Sequence, residues 1–382
     1  MLHKENPLHV GLCGPLPPPY GGMANQLNQL YGLLQNEGIQ VSLVATNAPY
    51  PFKIIEKIKG VRAVFRMLPY LLKVWQLAGK VDVIHVFSNS GWSWQLFSAP
   101  VLWLAWLRNT PVIINYRGGE AQKYFSQSIK WVRPSMAKAT LVIVPSGYLK
   151  AVFSDFGMVA HIVPNIINLE RFHPKKNAGQ LNTLRPHLII TRNLEAIYGI
   201  ATAISAIALL KQTVPNIQLS IAGSGPQQDE LQQLVNNENL ATNIHFLGKL
   251  TPDEIAALYQ SADIMLNPTT ADNMPNAVLE AMASGVAVVT TDVGGIPYLL
   301  ENNRTALFTE VNNPQAMAQQ VERLLSQPAL YQALVANALQ EVQQYSWAEV
   351  GASWLSLYQS CHSSEANVWA QPMPSQVVRP QI

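Results

Sequence analysis

Residues 267–297 read NPTTADNMPNAVLEAMASGVAVVTTDVGGIP, and this stretch decides the fold of the second half of the chain. A polar loop, ADNMPN, gives way to the helical pattern AVLEAMASG, which ends at Gly285. A buried strand, VAVVTT, and a Gly294-Gly295 turn follow. Loop, helix, buried strand and glycine turn in this order predict one unit of an α/β fold with a parallel sheet.

Two carboxylates lie in this stretch. Asp272 precedes the helix, and Glu280 is predicted about two turns inside it, among Ala, Val, Leu and Met. An unpaired buried charge costs several kcal/mol, so Glu280 must be paired or hydrogen-bonded. It is either a ligand-binding residue or a structural carboxylate that caps a neighbouring loop. Asn273, Asn276 and the free amides of the first helical turn are suited to a phosphate.

The same alternation of strand and helix runs through the chain. With 382 residues, two α/β domains are expected, each a doubly wound parallel sheet whose ligands bind beyond the carboxyl ends of its strands. We predict a first domain at 1–164, a linker at 165–186, a second domain at 187–345, a helix at 346–361 and a disordered tail at 362–382. The predicted strands are 8–13, 39–45, 82–87, 111–115, 140–144, 159–163, 187–191, 217–222, 244–247, 263–267 and 286–290, and the first helix of the second domain is 195–213.

Composition excludes several classes of protein. Two cysteines and eight scattered histidines form neither a disulfide framework nor a metal-binding motif, and they fit a cytoplasmic protein. No secretory signal is recognised. The most apolar segment, LFSAPVLWLAWL at 96–107, is too short to cross a bilayer and is predicted to be a buried helix.

Charge is divided unevenly along the chain. Residues 1–160 hold 15 Lys/Arg against 6 Asp/Glu, and the remainder holds 10 against 17. Within 52–75, bases alternate with apolar residues in the pattern of a helix that lies on an anionic membrane surface; they include Lys53, Lys57, Arg62 and Arg66. The alternative is a solvated basic face over a buried stripe.

Glycine motifs narrow the class of ligand that the second domain is expected to bind. Gly223-Ser224-Gly225 follows a strand, but Gln228 replaces the third glycine of a dinucleotide fingerprint, which argues against NAD. A Walker loop, a G-x-S-x-G elbow and a D-x-D motif are absent from the sequence. Arg192 follows the first strand of the second domain and suits a phosphate. A nucleotide diphosphate therefore fits, with Glu280 on the ribose and Asp272 on an attached sugar.

Five segments resemble glycosyltransferase family 4, the retaining nucleotide-sugar transferases of the GT-B fold, in an interrupted match from Val10 to about Tyr358. They are PNIINLERFHP, ITRNLEAIYGI, LSIAGSGPQQDELQ, LGKL and DNMPNAVLEAMASGVAVVTTDVGGIPYLL. The resemblance implies two Rossmann-like domains facing a central cleft and a C-terminal helix that crosses back to the first domain. It also implies a donor held mainly by the second domain, an acceptor held mainly by the first, and no metal or other cofactor.

The resemblance also implies roles for individual residues. Asp272 and Glu280 take the two acidic positions of the family motif, and Arg117 is the third residue expected at the catalytic centre. The residues expected to bind the donor are Gly22, Arg192, Gly223, Asn273, Asn276, Ala277, Val278 and Glu280.

Three positions depart from the family pattern. Asp272 is one methylene shorter than the usual Glu. Tyr198-Gly199 stands where the family has a Lys, which leaves more phosphate charge to Arg192. Arg117 takes the place of a His; an arginine is always charged, so it cannot act as a general base but can stabilise a departing diphosphate.

These observations lead to one main hypothesis and two alternatives. The chain is expected to transfer a sugar with retention to a glycan or lipid-linked acceptor in cell-surface or exopolysaccharide synthesis. We expect it in the cytoplasm, peripheral on the inner face of the membrane, without a nucleic-acid partner. The alternatives are a nucleotide-sugar epimerase on the same fold, which needs no acceptor, and a glycosyltransferase-like subunit that binds without catalysing.

Overall fold

The computed structural model describes residues 8–48, 61–176 and 178–362. They divide into two compact units. The first unit extends to Ile166 and resumes at Val350, and the second is Ile167–Glu349. Lys53, Lys57 and the predicted tail from residue 363 lie outside the described residues, as does the side chain of Arg62.

The first unit is a parallel sheet of six strands in the order β2-β1-β3-β4-β5-β6 among the described residues. Its elements are β1 His9–Gly14, α1 Gly22–Asn36, β2 Gln40–Ala45, α2 Val61–Ala78, β3 Val83–Ser88, α3 Ala99–Leu107, β4 Val112–Tyr116, α4 Ala121–Met136, β5 Leu141–Val144, α5 Gly147–Asp155 and β6 His161–Ile162. A last helix, α13, spans Trp347–His362.

Helices cover both faces of this sheet, as its apolar strands require. A Cβ on Gly11 of β1 would lie 2.8 Å from Leu77 of α2, and one on Gly14 would lie 2.6 Å from Leu27 of α1. The helix α13 packs on β3, since the Tyr358 hydroxyl lies 2.7 Å from Nδ1 of His85. The C-terminal helix therefore belongs with the first sheet, as the family resemblance implied.

The second unit is a six-stranded parallel sheet in the order β12-β11-β10-β7-β8-β9, counted over the described residues. Its elements are β7 His187–Ile190, α6 Ile200–Leu210, β8 Gln218–Ala222, α7 Gln228–Asn237, β9 Ile244–Gly248, α8 Pro252–Ser261, β10 Ile264–Asn267, α9 Asn276–Ala283, β11 Ala287–Thr291, α10 Ile296–Leu299, β12 Leu307–Thr309, α11 Pro314–Ser326 and α12 Pro328–Glu341. The predicted α/β class with parallel sheets is confirmed.

Three local predictions were wrong. The helix predicted at 195–213 is interrupted at Gly199, which has a left-handed φ of 59° and lies so close to Pro268 that a Cβ would be 2.1 Å from the Pro268 carbonyl oxygen. Glu280 is the fifth residue of α9, little more than one turn inside it, because the helix begins only at Asn276. The segment 96–107 is helical but only partly buried: Val101, Leu102 and Ala105 lie in the core of the first unit, while Trp103, Trp106 and Leu107 are 41%, 49% and 60% exposed.

Candidate functional site

The strand order of the second unit places a switch point between β7 and β10. From β7 the chain continues to β8 and β9 on one side, and β10, β11 and β12 lie on the other. Ligands of open α/β sheets bind beyond the carboxyl ends of the strands at such a point. Thr191 and Arg192 follow β7, and the loop that carries Asp272 follows β10. The topology therefore brings together residues that are 80 positions apart in the chain.

Arg192 and Asp272 form an ion pair at this switch point. Nη2 of Arg192 donates to Oδ2 of Asp272, and the two side chains are only 10% and 14% exposed. The guanidinium also stacks 4.2 Å from the ring centroid of Tyr198. Its Nε is buried and has no hydrogen-bond partner among the residues that the structure describes. The fixed, neutralised cation therefore keeps donor capacity for a ligand.

From the sequence, Arg192 was predicted to bind a phosphate and Asp272 to bind a sugar. The ion pair between the two side chains was not predicted. The signal was topological. A strand order with β7 beside β10 places the residue after each strand at one edge of the sheet, but local sequence patterns do not specify which strands become neighbours.

Glu280 lies half-buried on α9, beside Tyr259 of α8. Burial raises the pKa of Glu280 to about 7, and a hydrogen bond with Tyr259 and the charges of Arg192 and Arg171 offset part of that rise. The Tyr259 hydroxyl donates to the Ala277 carbonyl at 2.8 Å and lies 2.6 Å from Oγ1 of Thr191. A phenol has one hydrogen, so Tyr259 cannot satisfy both the carbonyl and an ionised carboxylate fully. Glu280 therefore retains acceptor capacity.

Tyr259 was not among the predicted residues. It is fully buried, and a tyrosine on an amphipathic helix gives no signal in the sequence that separates it from ordinary core residues.

The glycines at the switch point hold backbone segments together. A Cβ on Gly223 or Gly225 would lie 2.0 Å or 2.3 Å from the carbonyl oxygens of Arg192 and Leu194. The missing side chain of Gly223 lets its backbone lie against that of Arg192. The contact of Gly223 with the donor stays a prediction.

The Gly294-Gly295 turn does the same for the other partner of the ion pair. A Cβ on Gly294 would lie 2.2 Å from the Asp272 carbonyl oxygen, and one on Gly295 would lie 1.8 Å from that of Asn273. The Gly295 amide donates to the Asp272 carbonyl at 3.0 Å. Two glycine turns thus fix the backbones from which the ion pair projects.

The first turn of α9 lies beside the pair. Asn276 begins the helix, and the side chains of Ala277 and Val278 are buried, so only their backbones can face a ligand. The Val278 amide already donates to the Pro275 carbonyl at 3.2 Å, so this bond competes with the predicted binding of the donor by the same amide. The Asn273 amide donates to Oδ1 of Asp272 at 2.8 Å and so braces the carboxylate.

In the first unit, Arg117 follows β4 and is held by amide oxygens. Nη1 donates to Oδ1 of Asn165 at 2.6 Å, Nε donates to Oδ1 of Asn115 at 3.1 Å, and the guanidinium lies 4.9 Å from the Phe87 ring centroid. Within the described ranges no carboxylate forms an ion pair with it. Burial lowers its pKa to about 9, which leaves it charged near neutral pH.

Two other predicted residues lie in this unit. Gly22 is exposed and opens α1 after an extended Gly21. Arg66 is half-buried on α2.

Neither a metal site nor a membrane span is found in the described part of the chain. Among residues 8–48, 61–176 and 178–362, no group of three His, Cys, Asp or Glu side chains is arranged to hold a metal ion. Over the same ranges, no helix has both the length and the apolar character needed to cross a bilayer.

Two curated relatives illustrate the similarity in sequence. An uncharacterized glycosyltransferase of Methanocaldococcus jannaschii is 32% identical over 144 residues, which are 37% of this chain and 37% of that protein. The phosphatidyl-myo-inositol mannosyltransferase of Mycolicibacterium smegmatis is 24% identical over 361 residues, 89% of this chain and 90% of that protein. The match thus spans well under half the length of the first relative and most of the second.

Solved structures show the fold. Sucrose-phosphate synthase of Thermosynechococcus elongatus has a TM-score of 0.74 at 20% identity, over 94% of this chain and 100% of that one. HepE of Anabaena, in complex with UDP and glucose, has a TM-score of 0.69 at 18% identity, over 96% and 100%. This likeness confirms the GT-B fold class.

Family models cover most of the chain. The model described as "Glycosyltransferase Family 4" matches residues 20–171, and the model described as "Glycosyl transferases group 1" matches residues 171–341. The two matches meet at residue 171, and the chain belongs to glycosyltransferase family 4.

Proposed function

We propose that the chain is a retaining glycosyltransferase that moves a sugar from a nucleotide diphosphate sugar to a glycan or lipid-linked acceptor. The observation that carries this proposal is the cluster of Arg192, Asp272 and Glu280 at the switch point of the second sheet. A cation with a buried, unpartnered Nε and a carboxylate with spare acceptor capacity match the diphosphate and the ribose of one ligand. The complex of HepE with UDP and glucose supports a donor of this class.

Each group of the cluster has a separate task. Arg192 binds the diphosphate, held in position by Asp272 and by the Tyr198 ring. Glu280 accepts from the ribose hydroxyls, and Asp272 accepts from the sugar while it keeps Arg192 oriented. Arg117 of the first unit stabilises the departing diphosphate, since it carries a charge without a carboxylate partner among the described residues.

The reaction proceeds on one face of the sugar. An oxygen of the leaving phosphate takes the proton of the acceptor hydroxyl as the new glycosidic bond forms and the bond to the diphosphate breaks. No protein nucleophile and no metal are assigned to this step.

The acceptor belongs to cell-surface or exopolysaccharide assembly in this proposal. The mannosyltransferase relative, which matches 89% of this chain, has a phosphatidyl-myo-inositol acceptor in its name and supports a lipid-linked one. A cytoplasmic location, peripheral on the inner face of the membrane, follows from an acceptor of that kind.

Transfer assays with UDP-, GDP- and ADP-sugars test the proposal. Glu280→Gln and Asp272→Asn are expected to lose transfer while retaining the circular dichroism spectrum of the parent chain. Glu238→Gln, an exposed carboxylate at the end of α7, is the matched control and is expected to retain activity. Parental activity in both site variants would refute the assignment, and product formed from donor alone would favour an epimerase.

A second candidate function is a subunit that binds a nucleotide sugar without catalysing. The observation that favours it is that Arg192 and Asp272 already neutralise each other. Calorimetric binding of a nucleotide, with neither hydrolysis nor transfer over a broad acceptor panel, would establish this alternative.

A further inference from the structure

Large apolar side chains point outward from α2 of the first unit. Leu68, Leu72 and Trp75 are 58%, 63% and 39% exposed. They lie four and then three residues apart, so they form one stripe along the helix. A stripe of this kind normally packs on the core, but here Tyr70 and Val74 occupy the buried side instead. The stripe is therefore an additional apolar surface.

The stripe continues over the two neighbouring helices. Trp103 of α3 is exposed, as are Trp106 and Leu107, which follow it three and four residues later, and Trp131 of α4 is 77% exposed. We call these seven residues the outer aromatic face: Leu68, Leu72, Trp75, Trp103, Trp106, Leu107 and Trp131.

Direct contacts join the three helices at this face. Nε1 of Trp103 donates to Oγ of Ser135 on α4 at 3.0 Å. The Arg108 guanidinium, at the end of α3, lies 4.7 Å from the ring centroid of Trp75 on α2. The Trp103 and Trp106 rings meet edge to face at 5.9 Å. The face is thus one continuous surface.

The surroundings of the outer aromatic face are strongly basic. Residues 61–154 hold 11 Lys/Arg and only 2 Asp/Glu, and none of the helices α2, α3 and α4 contains an acid. Nζ of Lys138 lies 3.7 Å from the Trp106 ring centroid, while Lys73 and Lys130 are exposed on α2 and α4. Indole rings and cations therefore alternate over the surface.

The positive charge around the outer aromatic face indicates which kind of partner can bind there. A second copy of the chain would set cations against cations, because an isologous contact pairs the same surface with itself. An anionic bilayer meets both features at once. Tryptophan concentrates at the level of the lipid headgroups, and each Lys or Arg near an anionic surface adds to the attraction.

We propose that the outer aromatic face docks the first unit on an anionic lipid bilayer. This inference rests on the proposed function only for the peripheral location, and the sugar-transfer chemistry stands without it. It overlaps the membrane contact predicted at 52–75 and extends it to two further helices. The contact lies on the outward sides of α2, α3 and α4, with Trp103, Trp106 and Trp131 entering the headgroup region.

Cosedimentation of the full chain with vesicles tests the proposal. The parent chain is expected to pellet with vesicles of phosphatidylcholine and phosphatidylglycerol, and much less with phosphatidylcholine alone. The combined substitution Leu72→Gln, Trp106→Gln, Leu107→Gln, Trp131→Gln is expected to weaken binding by more than about tenfold. The matched control, Val159→Gln, Leu184→Gln, Leu247→Gln, removes exposed apolar residues elsewhere and is expected to bind like the parent.

A second pair of variants separates charge from apolar contact. Lys73→Gln with Lys130→Gln is expected to lower binding to anionic vesicles by on the order of tenfold. Trp106→Phe with Trp131→Phe is expected to keep most of it. All variants are compared with the parent by thermal unfolding, so that misfolded chains are recognised.

Three results would overturn the proposal: a parent chain that ignores anionic vesicles, a four-residue variant that binds them as the parent does, or sedimentation velocity showing that the variant converts a dimer to a monomer. Transfer to a water-soluble acceptor is measured in parallel. If the chain transfers sugar but does not bind vesicles, the docking proposal fails while the sugar-transfer proposal stands.

Discussion

Two arginines follow parallel strands in the two halves of the molecule, and they are held in opposite ways. Arg192, after β7, is paired with the carboxylate of Asp272. Arg117, after β4, is bound by the neutral amide oxygens of Asn115 and Asn165. After the second sheet, the arginine is thus neutralised by a carboxylate, whereas after the first it is held by neutral groups.

This difference separates ground-state binding from stabilisation of developing charge. A cation held by its own carboxylate has a fixed position before the ligand arrives and suits a ligand that is bound throughout the reaction. A cation without a carboxylate gains most when negative charge grows beside it. We therefore assign donor binding to the Arg192 region and leaving-group stabilisation to Arg117.

The largest expected effect comes from removing only one member of the ion pair between Arg192 and Asp272. Asp272→Ala leaves a largely buried guanidinium unpaired and is expected to cost about 3–5 kcal/mol of unfolding free energy. The double variant with Arg192→Met is expected to regain much of that loss, because neither member of the pair is then left without its partner. Arg117→Met strands no charge but leaves the buried Oδ1 atoms of Asn115 and Asn165 without this donor, so it is expected to cost less, about 1–3 kcal/mol. Urea unfolding followed by fluorescence measures all three, and equal losses for Asp272→Ala and Arg117→Met would contradict the distinction.

Kinetics give the next largest effect and separate the two roles. Arg192→Met removes charged hydrogen bonds made before and during the reaction, so we expect KM for the donor to rise by roughly 10- to 100-fold. Arg117→Met is expected to lower kcat by about 100-fold with little change in KM. Steady-state rates against donor concentration provide the measurement. Reversed patterns would exchange the two assignments.

Glycine substitutions sharpen the comparison at the level of the backbone. In Gly295→Ala the new Cβ meets the Asn273 carbonyl oxygen at 1.8 Å, so backbone must move, and a loss of roughly 1–3 kcal/mol is expected. In Gly118→Ala it meets the Ser90 hydroxyl at 2.3 Å and Oδ1 of Asn89 at 2.9 Å, which are side-chain ends and not backbone, so the loss is expected to be smaller, at about 1 kcal/mol. Urea midpoints of the two variants test this, and similar losses would show that Ser90 is as fixed as the Asn273 backbone.

The smallest effect is a dependence on pH. Burial raises the pKa of Glu280 to about 7, and only the ionised carboxylate accepts two ribose hydroxyls. Nucleotide affinity is therefore expected to increase by up to about tenfold as pH rises through that value. The raised pKa of Glu280 also affects the free energy of unfolding. Its contribution is fully present below the ordinary pKa of a glutamate and is lost as pH rises from there to about 7. Arg117, whose pKa is lowered to about 9, stays charged over this range.

Calorimetry at about pH 6 and about pH 8 measures this dependence. Glu280→Gln is expected to give a flat profile. An equal slope in that variant would assign the effect to another group.

Much of the fold and part of the candidate site could be predicted from the sequence, and the features that were not predicted share one cause. Strand and helix order follow from local patterns of apolar residues, as the capping box of Thr251 and Glu254 illustrates. Asp272 and Glu280 were found because they share one short stretch. The Arg192 to Asp272 pair and the buried Tyr259 were missed, since both depend on which strands and helices become neighbours. The exposed side of α3 was also missed, because an apolar run alone does not show which of its residues reach the sheet.

The most direct test of the central claim is a calorimetric titration of the parent chain and of Glu280→Gln with UDP, GDP and ADP. The parent is expected to bind at least one of these nucleotides, and Glu280→Gln is expected to bind it at least about tenfold more weakly. Binding of none of the three by the parent, or equal binding by both proteins, would contradict a nucleotide site built on Arg192, Asp272 and Glu280.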